Sequence, residues 1–349
     1  MKIGIQVIRS RDERAIDLAK RADEAEFDGL WLAGGGDNYI KAALMLVATK
    51  HITVGTSITP ALLASPSFHA NIAMYLQEIS NGRFVLGFGS QTKGQLRGAL
   101  GIEVPKIAKQ AKEIIEITRG IMAGGPFEYD GEFHHRHGFA RRTRPGIPAA
   151  PIYHSGVGPI NLRNAGEYTD GFLAHPIFTQ KYYEDVVWPE IDKGLQRAGK
   201  TRADFDMVAM PMTLVVENEE ERPALLSSAK RNLGFYFTTR AYGTFMDMNG
   251  WTKEREAIWE VSARAGGNPA KFDWQALEDC VTDDMVEKVC LFGTAEENIA
   301  RARKRYAGLA DTLDFYPMHD GSHSAEEAGD HEFEVIGRFI KAFKGFNKA

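Results

Sequence analysis

The chain has 349 residues, 44% hydrophobic and 26% charged, with a formal net charge of −5. This is ordinary globular composition. It holds no basic block of the kind that follows a nucleic-acid backbone, and no apolar run reaches the ~20 residues needed to cross a bilayer. The two cysteines, Cys280 and Cys290, form neither a disulfide framework nor a metal motif. With no signal-peptide regions at the N-terminus, they lead to the expectation of a reducing, cytoplasmic setting.

From the N-terminus onward, short apolar strands alternate with amphipathic helices. Lys2–Ile8 alternates Ile3, Ile5 and Val7 and predicts a first strand; Ser10 and Glu13 stand at capping-box spacing and open a helix to about Glu26. Gly29–Ala33 reads as strand two, before a helix over Tyr39–Lys50 with Asp37 and Asn38 as candidate N-caps. Thr53–Ser57 is strand three. The helix beyond its proline-containing loop spaces Phe68, Ile72, Tyr75 and Ile79 by four, three and four, which predicts that this face is buried. Arg83–Phe88 is strand four, and its helix, near Pro105–Met122, repeats Ile107, Ala111, Ile114 and Ile121 on one face. Residues 124–148, rich in Gly, Pro, Arg and His, interrupt the pattern with a hairpin around Phe127–Phe133. Pro151–Ser155, Asp170–Ala174 and Asp206–Val216 are strands five to seven, joined by helices Pro159–Tyr168 and Gln180–Ala198. A helical insertion over residues 219–289 carries Phe235, Tyr236, Phe237 and Tyr242. Thr294 and Glu297 form another capping box for helix Ala295–Tyr306; Thr312–Pro317 is strand eight, and a last helix covers Glu332–Phe343.

Strands joined through helices lie parallel, and eight such units close into a (β/α)8 TIM barrel with its reactive groups at the strand C-termini. The fold expected is α/β, one barrel domain over residues 1–349 with insertions at about 124–148 and 219–289. The strand ends therefore hold the candidates. Strand four ends in Gly87-Phe88-Gly89-Ser90-Gln91-Thr92-Lys93, where alternate glycines admit a ligand to the backbone and Ser90, Gln91 and Thr92 can hydrogen-bond it; a crowded rim turn needs the same glycines. Strand five ends in His154-Ser155-Gly156-Val157-Gly158-Pro159 and runs into a helix, the arrangement of an anion site, although Asn161 replaces the third glycine of a dinucleotide fingerprint and Pro159 suits an ordinary helix start. Strand three ends in Gly55-Thr56-Ser57-Ile58-Thr59-Pro60, whose hydroxyls serve either a flat ring or the loop backbone. His154, His175 and His319 stand where strands open and are candidate acids or bases, or structural hydrogen-bonding histidines. His134, His135 and His137 lie in an Arg-rich loop without a convincing further ligand, so no metal site is expected.

Taken in order, EFDGLWLA (Glu26–Ala33), HITVGTSITP (His51–Pro60), ISNGRFVLGFGSQ (Ile79–Gln91), PIYHSGVGP (Pro151–Pro159), EYTDGFLAHP (Glu167–Pro176) and LFGTAEENI (Leu291–Ile299) span nearly the whole chain. Together this set resembles the bacterial luciferase-like superfamily of flavin- or deazaflavin-dependent oxidoreductases. The strand-four stretch and GEFHHRH (Gly131–His137) look most like its coenzyme F420-using branch. The resemblance implies a ring seated at the barrel mouth on a non-prolyl cis peptide at Ser57–Ile58, beside Thr56. It implies a cofactor phosphate on the backbone of Ser155, Gly156, Val157 and Gly158, and Ser90 and Gln91 near the ring or its ribityl chain. His175 would contact cofactor or substrate, and His154 and His175 are the candidates for a catalytic acid that the pattern leaves unassigned here. Two features depart from the pattern. Gly34-Gly35-Gly36 replaces a polar pair after strand two, and Ser90 stands where many luciferases carry a phosphate-binding arginine. The activity implied is hydride transfer between coenzyme F420 and a small-molecule substrate. The alternatives are an FMN-dependent monooxygenase served by a separate flavin reductase, a cofactor-free binding barrel, and a phosphate-binding lyase or isomerase. A homodimer packed through the helices at Tyr39–Lys50 and Phe68–Ile79 is also expected.

Overall fold

A computed structural model describes residues 1–8, 13–34, 37–140, 144–318 and 327–346. Eight strands, β1 (Lys2–Val7), β2 (Gly29–Leu32), β3 (Thr53–Thr56), β4 (Phe84–Gly89), β5 (Ile152–Ser155), β6 (Gly171–Leu173), β7 (Asp206–Ala209) and β8 (Thr312–Pro317), pair in parallel with their neighbours in chain order. The register from Lys2↔Thr312 to Ile5↔Phe315 joins β8 to β1 and closes the barrel. The expected TIM barrel is therefore present, with helices around it.

The pleat sorts the side chains. Ile3, Ile5, Val7, Leu30 and Leu32 join the core between barrel and helices, while Trp31, Val85, Tyr153, Leu173 and Val208 form a second cluster within the barrel. The Trp31 ring stacks on Tyr153 at 5.8 Å. It fills the barrel because β3 offers Gly55, where a Cβ would come within 2.5 Å of the indole. The phenol of Tyr153 donates to Asp206 at 2.7 Å.

Five expectations change. Strand seven ends at Ala209: Met210-Pro211 interrupts it, and Met212–Val215 continues outside the ring, paired to the end of β8 and to Leu291–Gly293. An extra helix, Lys93–Leu100, follows β4 behind a Thr92–Gln95 capping box. Helix Pro66–Ser80 buries the face that carries His69, Ala70, Ala73, Met74 and Leu76 and leaves Phe68 and Tyr75 49% and 53% exposed. Buried His69, Ala73, Leu76 and Ser80 repeat the same four-three-four spacing one position along, so the spacing fits both faces. Asp37 makes no capping hydrogen bond, and Asn38 lies buried inside helix Asn38–Ala48. The hairpin is wider than expected, pairing Gly125–Pro126 with Phe139–Ala140 and Tyr129–Asp130 with His135–Arg136. Its turn is tied down by Glu113, whose carboxylate accepts the backbone N–H groups of Glu132, Phe133 and His134. Ser10, Gly35, Gly36 and His319 lie outside the described residues.

The insertion is helical as expected, with Arg222–Phe237, Gly243–Met248, Thr252–Arg264, Trp274–Asp279 and Asp283–Val289. Among the described residues no helix is long and apolar enough to cross a membrane.

Candidate active site

A cavity of about 970 Å³ opens at the C-terminal end of the barrel, and residues in or just after all eight strands line it. Its floor is built from β3. The Ser57–Ile58 peptide is cis, as the resemblance implies. Both carbonyls of this bulge are held: Gln6 Nε2 donates to Ser57 O at 2.8 Å, and Asn38 Nδ2 donates to Ile58 O at 3.2 Å. Thr56 Oγ1 donates to Gly87 O at 2.8 Å and accepts from Gly87 N at 2.9 Å. A Cβ on Gly87 would meet Thr56 O at 1.9 Å, and one on Gly89 would meet Ile58 Cδ1 at 2.5 Å. The β4 glycines thus make room for the bulge itself rather than directly for a ligand. Ser57 Oγ and Gln6 Oε1 are buried without a hydrogen-bond partner, and both residues face the cavity.

Two helices begin at the same cavity. Thr92–Gln95 starts Lys93–Leu100, and Ser155, Gly156, Val157 and Asn161 mark the start of Pro159–Tyr168. Their N-terminal N–H groups and dipoles favour an anion, such as a phosphate. Gly156 is required by close packing, since a Cβ there would lie 2.6 Å from Asn161 Cβ.

Of the residues singled out in the sequence, Ser57, Ile58, Ser90, Gln91, Ser155, Gly156, Val157 and His175 line this cavity. Thr56, His154 and Gly158 do not. Thr56 is fully buried against Gly87, and Gly158 caps the helix behind the loop. His154 corrects the expectation of a mouth-facing acid: Tyr153 points into the barrel, so the next residue points outward. There His154 is fully buried, its Nε2 3.4 Å from Asn161 Oδ1 and its Nδ1 unpartnered, and burial pushes its pKa down to about 4.

His175 sits under a roof supplied by the insertion. Its Nδ1 accepts from Ile177 N at 3.4 Å, and its Nε2 lies 2.8 Å from Tyr242 Oη. Burial lowers its pKa to about 3, so the ring is neutral. With Nδ1 accepting, the proton sits on Nε2 and is donated to Tyr242 Oη, which leaves the phenolic proton free to point elsewhere. Tyr236 and Tyr316 also line the cavity, their hydroxyls 2.8 Å apart. Burial raises the pKa values of Tyr236 and Tyr242, so both phenols stay protonated at neutral pH.

Gln6, Asn38, Tyr236, Tyr242 and Tyr316 were not singled out as site residues in the sequence. Gln6 and Asn38 had a signal, amides within otherwise apolar elements. The tyrosines reach the mouth only through the tertiary folding of the insertion and β8.

The donor set fits a flat heterocycle bearing a phosphate. The bulge offers a backing surface, Ser57 Oγ and Gln6 Oε1 offer unmet hydrogen bonds, and two helix starts offer an anion site. The chain is 28% identical over 305 residues to the 5,10-methylenetetrahydromethanopterin reductase of Archaeoglobus fulgidus, covering 86% of this chain and 89% of the other. It is 29% identical over 192 residues to the F420-dependent glucose-6-phosphate dehydrogenase of Intrasporangium calvum, covering 53% and 54%. Its fold superposes on the coenzyme F420 dependent tetrahydromethanopterin reductase of Methanopyrus kandleri with a TM-score of 0.77 at 20% identity, covering 97% of both chains. Residues 8–312 match the luciferase-like monooxygenase family, and the chain belongs to it.

Proposed function

We propose that this protein is a coenzyme F420-dependent oxidoreductase that transfers a hydride between the deazaflavin and a small organic substrate. The observation that carries this reading is the mouth cavity, with its unmet Ser57 and Gln6 oxygens and its two converging helix starts. The F420-dependent dehydrogenase relative supports it. The cofactor, when bound, supplies the hydride donor or acceptor. Ile58 and the bulge back the ring, while Ser57 and Gln6 hydrogen-bond its polar edge. Ser155, Gly156 and Val157, with the start of helix Pro159–Tyr168, hold the phosphate. Tyr242, oriented by neutral His175, gives or takes the substrate proton. The tyrosine roof keeps water from the reacting atoms.

The test is turnover under two atmospheres. Anaerobic bleaching of the deazaflavin by an oxidisable compound, or recovery of its colour from the reduced form by a reducible one, with the same rate in air and no oxygen uptake, supports the reading. Oxygen consumption that requires reduced FMN overturns it.

We further propose that a second copy of the chain covers the apolar stripes on helices Asn38–Ala48 and Pro66–Ser80. Ile40, Leu44 and Val47 stand 66%, 47% and 73% exposed there, beside exposed Phe68 and Tyr75.

A further inference from the structure

The cavity has an uneven charge. Among the described residues that line it there is no carboxylate, one neutral histidine and two cations, Lys93 and Arg240. The two cations have different origins. Lys93 opens the helix after β4, on the side assigned to the cofactor phosphate. Arg240 belongs to the roof, in the single turn Arg240–Tyr242 that also carries the proton-bearing phenol.

Arg240 is held in place without being neutralised. Its guanidinium lies 4.2 Å from the centroid of Trp259. That indole is fixed by its own N–H, which donates to Phe237 O at 3.0 Å, and by close packing on Gly243, where a Cβ would come within 2.8 Å of it. A second guanidinium, Arg255, stands 4.5 Å from the same ring. Arg255 is paired with Asp247 at 2.8 Å and Glu256 at 3.6 Å, whereas no described carboxylate lies within ion-pair distance of Arg240. Stacking on an aromatic face leaves the guanidinium edge free and pre-oriented for a bidentate acceptor.

We propose that Arg240 anchors an oxyanion on the substrate, so that this enzyme acts on small organic anions. A carboxylate or a phosphate fits the guanidinium fork, with the group to be oxidised or reduced held beside Tyr242. The apolar lining of Met210 and Tyr236 receives the rest of the molecule. This assignment deepens the oxidoreductase reading and rests on it for the word substrate, but not for the anion site itself.

The test is calorimetric titration of benzoate, phenyl phosphate and neutral benzyl alcohol into wild type and Arg240→Gln, each with and without saturating coenzyme F420. Thermal melting confirms that the variant folds. Wild type is expected to bind benzoate or phenyl phosphate at least about tenfold more tightly than benzyl alcohol, and Arg240→Gln to lose that preference. Its affinity for coenzyme F420 should stay within about twofold of wild type. Whichever oxyanion binds identifies the preferred head group. Equal binding of the three probes to wild type overturns the proposal, as does a preference that survives in Arg240→Gln. Loss of coenzyme F420 affinity in the variant also overturns it, because the arginine would then serve the cofactor. Failure of coenzyme F420 to bind at all sinks the oxidoreductase reading alone, since the titrations on cofactor-free protein still report on Arg240.

Discussion

Tyr242 Oη lies 2.8 Å from His175 Nε2, and this contact joins the helical insertion to the C-terminal end of β6. The neutral imidazole spends its only N–H on the phenol oxygen, so the phenol proton is the one presented outward. Tyr242→Phe keeps the ring packing and removes that proton. It is expected to lower turnover by about 10²-fold or more, as for loss of a general acid or base, while coenzyme F420 binding stays near wild type. Steady-state kinetics beside a cofactor titration check this; unchanged turnover rules the phenol out.

Gly87 is the tightest point of the floor. With a Cβ there only 1.9 Å from Thr56 O, Gly87→Ala has to push β3 and β4 apart. The cost is expected at about 3 kcal/mol, with loss of cofactor binding as Thr56 and the bulge shift. Gly98 supplies the comparison: it is exposed in helix Lys93–Leu100, and nothing lies within 4 Å of its missing Cβ. Gly98→Ala should stabilise by about 0.5–1 kcal/mol. Urea unfolding of the two variants reads both signs.

Much of this architecture is legible in the sequence. The eight barrel strands follow from short apolar segments bounded by helical ones, only the first of them read from period-two alternation, and the cis peptide follows from the family pattern. What fails does so for physical reasons. His154 and Tyr153 differ by one position, and in a pleated strand one position decides between the barrel interior and the helix layer. Phe68 and Tyr75 share their spacing with the residues that actually pack inward. Pro211 ends β7 within an apolar run that looks continuous. The roof is non-local: Tyr236 and Tyr242 stand more than sixty residues beyond β6, and no local spacing links them to His175.

Three buried histidines make the fold sensitive to acid. Burial depresses the pKa of His69 to about 4, of His154 to about 4 and of His175 to about 3, from 6.5. The unfolded chain binds these protons near pH 6.5 and the folded chain does not. The stabilisation is therefore complete above pH 6.5 and is lost as pH falls toward 4. Each histidine should take away about 2 kcal/mol between pH 7 and pH 5. Urea unfolding across that range measures the slope, and His154→Leu should flatten it. A slope unchanged by that substitution contradicts the assignment for His154.

The proposed dimer face depends on Val47 and Leu44. Placing a charge there, as in Leu44→Glu with Val47→Glu, should convert a dimer to a monomer with little loss of monomer folding, since both side chains are exposed in the single chain. Light scattering after gel filtration decides this, and a wild type that is already monomeric refutes the face.

The most direct test of the central claim is a pair of equilibrium titrations of the purified protein, one with coenzyme F420 and one with FMN, followed by fluorescence quenching. The account predicts micromolar or tighter binding of coenzyme F420 and much weaker binding of FMN, with the coenzyme F420 signal lost in Gly87→Ala. Preference for FMN, or silence from both cofactors, contradicts it.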